Sequence, residues 1–236
     1  MKKALIIGFI GLLAPTLFAA QSKPQDKIAS AAKQLGEKPN YSWTTTIKEG
    51  DGSSQPFPGI SGKANKGGLT CLTTMMGTTP SDVYVNGQKG TAKGPGGWRT
   101  FDEIAKPGGF AAGLVRYMLS YKVPSVECGA LSGKLLNVNE EKGMLSGELN
   151  GDAAKEYLEF FIPPFAGQAP PKIADPHGSV KFWIEKGMLT KYEIDVQCKV
   201  IRGDQESEYH RNTTVEIKDV GTTKLEVPEE AKQKLL

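Results

Sequence analysis

Residues 178–201, GSVKFWIEKGMLTKYEIDVQCKVI, decide the fold of this chain. In the second half of the stretch, apolar and polar side chains alternate from Tyr192 to Val200. Because successive side chains of a strand point to opposite faces, this alternation predicts a strand with one apolar and one hydrated face. Residues 180–184 alternate in the same way, and Glu185-Lys186-Gly187 is typical of a short turn. The stretch therefore predicts an antiparallel β-meander whose apolar face must be covered by other parts of the chain.

The N-terminal part predicts a helix followed by strands. Apolar residues recur at helical spacing from Ile28 to Leu35, and Ser22 to Gln25 has the pattern of a capping box, which together predict a helix at 24–35. Extended patterns then predict strands at 41–47, 69–75 and 82–85. Asn86-Gly87 is typical of a tight hairpin turn and predicts a further strand at 88–92.

The middle of the chain is predicted to be mainly helical. The glycines and the proline at 94–97 are expected to break the sheet, and a proline-rich loop is expected at 167–176. Helical spacing and capping residues predict helices at 100–104, 110–119, 124–135 and 151–161. Extended segments are predicted at 144–149, 209–220 and 224–227, and a terminal helix at 228–235.

Strands, then a group of helices, then more strands indicate an α+β fold. We expect a single antiparallel curved sheet, a half-barrel, wrapped around central helices. Residues 21–236 are enough for one sizeable core and contain no stretch typical of an interdomain linker, so they are predicted to form a single domain.

Residues 1–20 are predicted to be a secretory signal peptide. Lys2 and Lys3 precede an apolar run, and Leu17 to Ala20 supplies a cleavage site. The segment is too short to span a membrane with its own flanks. We therefore expect a periplasmic or otherwise exported protein that is soluble after cleavage.

Composition and motifs exclude several function classes. The net charge is +3, and two of the positive charges belong to lysines of the predicted signal. The rest of the chain has no concentrated basic face of the kind that binds nucleic acid, so nucleic-acid binding is not expected. His177 and His210 stand in separate polar contexts, and no nucleophile, phosphate-loop or metalloprotease motif occurs. The sequence thus predicts a protein that is not an enzyme and has no cofactor and no metal site.

Three cysteines leave two alternatives open. Cys71, Cys128 and Cys198 could form one disulfide and leave one free thiol, as expected in an oxidising compartment. They could equally be three buried thiols that pack as small apolar residues. No C-x-x-C motif is present, which argues against thiol redox catalysis and a cysteine zinc site.

The order of elements resembles the lipoprotein-carrier superfamily, which includes the LolA and LolB carriers, the RseB lipid-sensing domain and the mycobacterial LppX/LprG proteins. The matching residues are the export signal, the helix at 24–35, the strand at 41–47 and the series GSVKFWIEKGMLTKYEIDVQCKV…VEIKDVGTTKLEVPEEAKQKL. The resemblance implies a half-barrel with helical lids and a carrier for the acyl chain of a lipid or lipoprotein. We expect the protein to be a monomer and, from its charge distribution, to bind no nucleic acid.

Large apolar residues near glycines and prolines are the candidates for lining an acyl-binding cavity. They come from the predicted helix at 110–119, the aromatic and proline-rich segment 157–165, and the apolar face of the meander. The candidates are Phe110, Leu114, Met118, Phe160, Phe161, Phe165, Tyr192, Ile194 and Val196. Two alternatives stand beside this interpretation: these residues fill the core alone, or the fold serves as a sensing or binding module for an envelope protein.

The signal peptide gives the first testable prediction. Protein recovered from the exported fraction should begin near Gln21, because the apolar run ends in a cleavage site. Intact-mass measurement checks this. Retention of residues 1–20, or the mass of an attached lipid, would contradict the prediction.

Overall fold

The computed structural model describes residues 23–50, 59–76, 79–94, 96–162 and 169–235. The predicted signal peptide and Phe165 lie outside these residues, as does the side chain of Phe110.

The described residues form one open antiparallel sheet of eleven strands with six helices. The order across the sheet is β6-β5-β4-β3-β2-β1-β11-β10-β9-β8-β7, so β6 and β7 are its edges. The first six strands are β1 (Asn40–Glu49), β2 (Ser61–Asn65), β3 (Leu69–Met76), β4 (Thr79–Asn86), β5 (Lys89–Gly94) and β6 (Gly97–Thr100). The others are β7 (Leu135–Glu141), β8 (Met144–Leu149), β9 (Lys172–Glu185), β10 (Met188–Arg202) and β11 (Gln205–Lys218). This architecture confirms the predicted α+β fold with a single curved antiparallel sheet.

Five helices lie against the same apolar face of the sheet, here called the inner face. They are α1 (Pro24–Gly36), α2 (Phe101–Ala105), α3 (Gly109–Ser120), α4 (Pro124–Ser132) and α5 (Gly151–Phe161). Helix α1 packs on α4 and β10, and α5 packs on β9 and β10. Buried side chains of these helices and of the inner face form one core cluster. No helix of the described part of the chain is both long and apolar enough to cross a membrane.

The last helix, α6 (Glu229–Leu235), covers the opposite face of the sheet. Tyr84 of β4 and Cys71 of β3 point away from the main core, and they form a second small cluster with Ala231 of α6. The Tyr84 hydroxyl donates a hydrogen bond to the carbonyl of Glu226, 3.1 Å away, which ties the C-terminal segment to the sheet.

The meander forms as its alternation predicts. Its second strand, β10, buries Tyr192, Ile194, Val196, Cys198 and Val200, none more than 5% exposed. Lys186 and Gly187, both at positive φ, connect the paired residues Glu185 and Met188. Two consecutive positive φ angles are typical of a type I′ hairpin turn, whose twist matches that of the flanking strands. The turn prediction and the assignment of the two faces are confirmed.

Three strands were not predicted from the sequence, because they lack an apolar alternation. Strand β2 consists of small and polar residues. A Cβ at Gly62 of β2 would lie 2.8 Å from the Trp43 ring, so glycine is needed for this indole to pack on the strand. Edge strand β7 is mostly exposed, and Leu135, which we assigned to a helix, is its first residue. The expected break at 94–97 is wrong: Gly94 pairs with Gly97 and the chain returns as β6.

The N-cap of helix α1 is Lys23, whose side chain makes no capping hydrogen bond, and Ser22 of the predicted capping box lies outside the described residues. Three smaller predictions need correction. Residues 172–176 belong to strand β9 rather than to a loop, and residues 224–227 form no strand. In the hairpin after β4, Asn86 pairs with Lys89, so the two turn residues are Gly87 and Gln88.

All three cysteines are buried and unpaired, which agrees with the second of the two alternatives. Burial raises the pKa of Cys71 and of Cys198 to about 11, and it raises the pKa of Cys128 as well. These thiols therefore pack as small apolar side chains and stay protonated at neutral pH.

The inner face of β10 gives a stability prediction. Val196→Asp would bury an unpaired carboxylate and should destabilise the protein by about 4 kcal/mol or more. Gln197→Asp is the matched control, because Gln197 lies on the opposite, exposed face. Urea unfolding checks both variants. Equal losses of stability would contradict the assignment of the two faces.

Candidate functional site

A cavity of about 260 Å³ lies between helices α3–α5 and strands β1 and β11. Its walls are mainly aromatic and aliphatic, with a few polar groups, as in most ligand pockets. The apolar lining includes Ile47, Ile60, Leu131, Val215 and Phe160. The cavity thus lies where the helical layer faces the junction of the two halves of the sheet.

Four aromatic rings in contact with one another form the wall on the helical side. The ring centroids of Tyr117 of α3 and Phe160 of α5 are 4.8 Å apart. Phe160 meets Phe161 edge to face at 5.0 Å, and Phe161 contacts Tyr157 at 5.0 Å. Such contacts add roughly 0.5–1.5 kcal/mol per pair to the burial of the rings. Helices α3 and α5 are held together by this wall.

Hydrogen bonds at Ile60 hold the segment that precedes β2 against the cavity. The Trp43 indole and the Tyr121 hydroxyl both donate to the Ile60 carbonyl, at 3.0 and 3.2 Å. Trp43 also donates to the Tyr121 oxygen at 3.1 Å. Burial raises the pKa of Tyr121 well above its ordinary value, so the hydroxyl remains a neutral donor.

A buried ion pair lies at the strand side of the cavity. Arg211 of β11 and Glu49 of β1 face each other across the two strands. Arg211 Nη1 donates to Glu49 Oε1 at 2.6 Å, and the two side chains are only 2% and 4% exposed. The guanidinium carbon lies 4.1 Å from the centre of the Phe161 ring, within the range of a cation–π contact. The arginine therefore connects the sheet to the aromatic wall.

A second buried acid, Glu127 of α4, also lines the cavity. Its carboxylate accepts a hydrogen bond from the Tyr192 hydroxyl. Loss of hydration raises the pKa of Glu127 from 4.5 to about 7, although the Tyr192 bond and the charge of Lys122 oppose the shift. Glu127 is thus close to half-protonated at neutral pH.

Exposed charges surround the rim of the cavity. Lys134 pairs with Glu156, and the lysine holds the pKa of that carboxyl below its ordinary value. Lys122 lies on the same rim. The cavity therefore changes from an apolar interior to a charged border, which suits a ligand with an apolar part.

The structure brings together only part of the predicted site. Phe160 and Phe161 line the cavity. Leu114 and Met118 belong to the core and do not line the cavity, which is lined by Tyr117 and Ser120 of the same helix instead. Tyr192, Ile194 and Val196 are fully buried under the helices and do not line it. Phe165 and the side chain of Phe110 lie outside the described residues.

Three polar residues of the site were missed, although the sequence contains a signal for each. Glu49 and Arg211 occupy inward positions of their strands, in step with Trp43 and Val215. A charged residue in an inward position of an alternating strand is the signal. Glu127 precedes Leu131 by four residues and so lies on the apolar stripe of α4.

Among the described residues, no group of three or more His, Cys, Asp or Glu could hold a metal ion. The cavity instead offers apolar walls, one buried ion pair and one buried carboxylic acid. Such an arrangement can hold a ligand with an apolar part and a polar part.

This chain is similar to several solved structures, two of which are described here. LprF from Mycobacterium bovis is 15% identical, with 88% of this chain and 96% of that chain covered, at a TM-score of 0.46. The lipoprotein LppX from Mycobacterium tuberculosis is 9% identical, with 86% and 97% covered, at a TM-score of 0.45. No protein-family model matches the sequence, and no curated protein does. The function is therefore inferred from the cavity itself.

The buried acid gives a pH prediction. Below pH 4.5 the Glu127 carboxyl is protonated in both the folded and the unfolded chain. As the pH rises from 4.5 to about 7, the unfolded chain releases this proton while the folded chain keeps it, so Glu127 lowers the stability. Glu127→Gln cannot ionise and still accepts the Tyr192 bond. The variant should therefore gain stability relative to the wild type over this range.

Urea unfolding at about pH 4 and about pH 7.5 measures this gain. Glu156→Gln is the control, because Glu156 is exposed on the rim and its pKa is lowered rather than raised. The raised pKa of Glu127 would be contradicted if the difference in stability between Glu127→Gln and the wild type were the same at both pH values.

Proposed function

We propose that this protein is an exported, non-enzymatic carrier that shields one acyl chain of a lipid or lipoprotein in the cavity between sheet and helices. The observation that carries this proposal is the apolar cavity of about 260 Å³ with its charged rim. Burial of each methylene group contributes about 0.8 kcal/mol, so a chain that fills such a cavity gains most of its binding energy from the walls.

The size of the cavity limits the ligand. Pockets for small molecules measure about 300–1,000 Å³, and the 260 Å³ found here lies just below this range. One acyl chain is compatible with this volume, whereas an anchor with several chains would require the helices to move away from the sheet. The predicted signal at residues 1–20 supports export.

A second candidate is a sensing or protein-binding module on the same fold. Edge strand β7 pairs with β8, and its Leu136 side chain is 50% exposed. A sheet edge can accept an extended peptide of an envelope protein as an additional strand. An empty protein that captures such a partner would favour this candidate over the carrier.

A substitution that fills the cavity tests the carrier. Ala130 of α4 lines the cavity and is itself exposed, so Ala130→Trp places an indole there without removing core packing. Val126→Trp is the matched control, because Val126 lies on the same helix, is 55% exposed and does not line the cavity. Binding of the apolar fluorescent probe N-phenylnaphthylamine should weaken by about tenfold or more in Ala130→Trp and stay unchanged in Val126→Trp.

Native mass spectrometry of protein purified without detergent complements this measurement. The carrier should copurify with a lipid in the wild type and in Val126→Trp, and without one in Ala130→Trp. A wild-type protein that neither binds the probe nor retains a lipid would refute the carrier function.

A further inference from the structure

The ion pair beside the cavity is incompletely hydrogen-bonded. Arg211 is 2% exposed and lines the cavity. Its Nη1 reaches Glu49, but its Nε has no hydrogen-bond partner among the described residues. Since a buried donor without a partner costs roughly 1–3 kcal/mol, an unpaired arginine nitrogen at a cavity requires an explanation.

The acceptor side of the pair is also incomplete. Glu49 Oε1 accepts from Arg211 and from the Tyr209 hydroxyl, the latter at 3.3 Å. The other oxygen, Oε2, is buried and has no partner within the described part of the chain. One ion pair therefore presents a free donor and a free acceptor.

The surroundings keep the guanidinium in place. Phe161 covers its face at 4.1 Å, and the backbones of β1 and β11 hold the two charged residues opposite each other. The strands thus fix the position of the guanidinium, and a group that is already held in place loses little conformational freedom on binding, which is how preorganised sites gain affinity.

We propose that Arg211 and Glu49 form a polar subsite that binds a neutral hydrogen-bonding group, such as a hydroxyl, at one end of the apolar ligand. A hydroxyl accepts from Arg211 Nε and donates to Glu49 Oε2, and so completes both unpaired atoms.

The charges of the pair select a neutral group. Arg211 and Glu49 together carry no net charge, so a neutral partner adds none to a buried region. A ligand carboxylate would compete with Glu49 for the same guanidinium and leave one buried negative charge uncompensated. An ammonium group would meet the positive charge of Arg211.

The subsite presupposes the proposed carrier function, because the polar group must be attached to an apolar chain in the cavity. Three ten-carbon ligands separate the two proposals: decane, decanol and decanoate. Displacement of N-phenylnaphthylamine gives their affinities. Measurement at about pH 6 keeps Glu127 mainly protonated, because its pKa is about 7.

The wild type should bind decanol at least about tenfold more tightly than decane, as expected for a hydrogen bond to a charged group. Decanoate should bind more weakly than decanol. In the double variant Arg211→Met/Glu49→Leu the preference for decanol over decane should disappear. This variant should fold, because replacing a buried ion pair by apolar residues is often neutral or stabilising. Arg116→Met, on the exposed face of α3, is the control.

Each outcome separates the two proposals. If the wild type binds decane and decanol equally, the subsite is refuted and the carrier stands. Tighter binding of decanoate than of decanol would refute the neutral ligand class. A preference for decanol that survives in the double variant would show that Arg211 and Glu49 are not its cause. If no ligand displaces the probe, the carrier function itself fails. The comparison of ligands in the wild type requires no variant to fold.

Discussion

The pairing of β1 with β11 is the constraint on which the rest of this structure depends. It joins residues as far apart as Ser42 and Lys218, 176 positions away, while every other pairing within the sheet joins strands consecutive in sequence. Such a long-range pairing carries the largest loop-closure entropy in the fold. Without it, β1–β6 and β7–β11 would be two separate meanders. The strand side of the cavity, built from Ile47 and Val215, would then be divided.

The same pairing places two opposite charges in the interior. Glu49 and Arg211 are the last register partners of these strands, and Arg211 lines the cavity. Removing one partner of a buried pair typically costs about 3–5 kcal/mol, whereas replacing both by apolar residues is often neutral. Stability alone therefore does not explain why the interior contains this pair. Its incomplete hydrogen bonding at the border of an apolar cavity is consistent with a role in ligand binding.

Residues with a local signal were predicted well, and those without one were not. The alternation at 192–200 placed β10 and its buried face, and the capping residues Thr100 and Asn150 marked the starts of α2 and α5. Strands β2, β6 and β7 were missed because they consist of small, glycine-rich or exposed residues and are stabilised by their neighbours in the sheet. For the site, apolar character singled out Phe160 and Phe161, which line the cavity, but it does not distinguish a cavity wall from a packed core.

By itself, the sequence determined the α+β class, the central meander and the faces of its strands, because periodicity is a property of neighbouring residues. Only the tertiary structure decided that α6 covers the outer face, that Glu127 meets Tyr192, and that Arg211 lies against both Glu49 and Phe161. These contacts join residues far apart in the chain, and their geometry depends on the register of β1 with β11 and on the way the helices pack over that junction. The position and size of the cavity follow from the same register and the same helix packing, and no local sequence pattern encodes either of them.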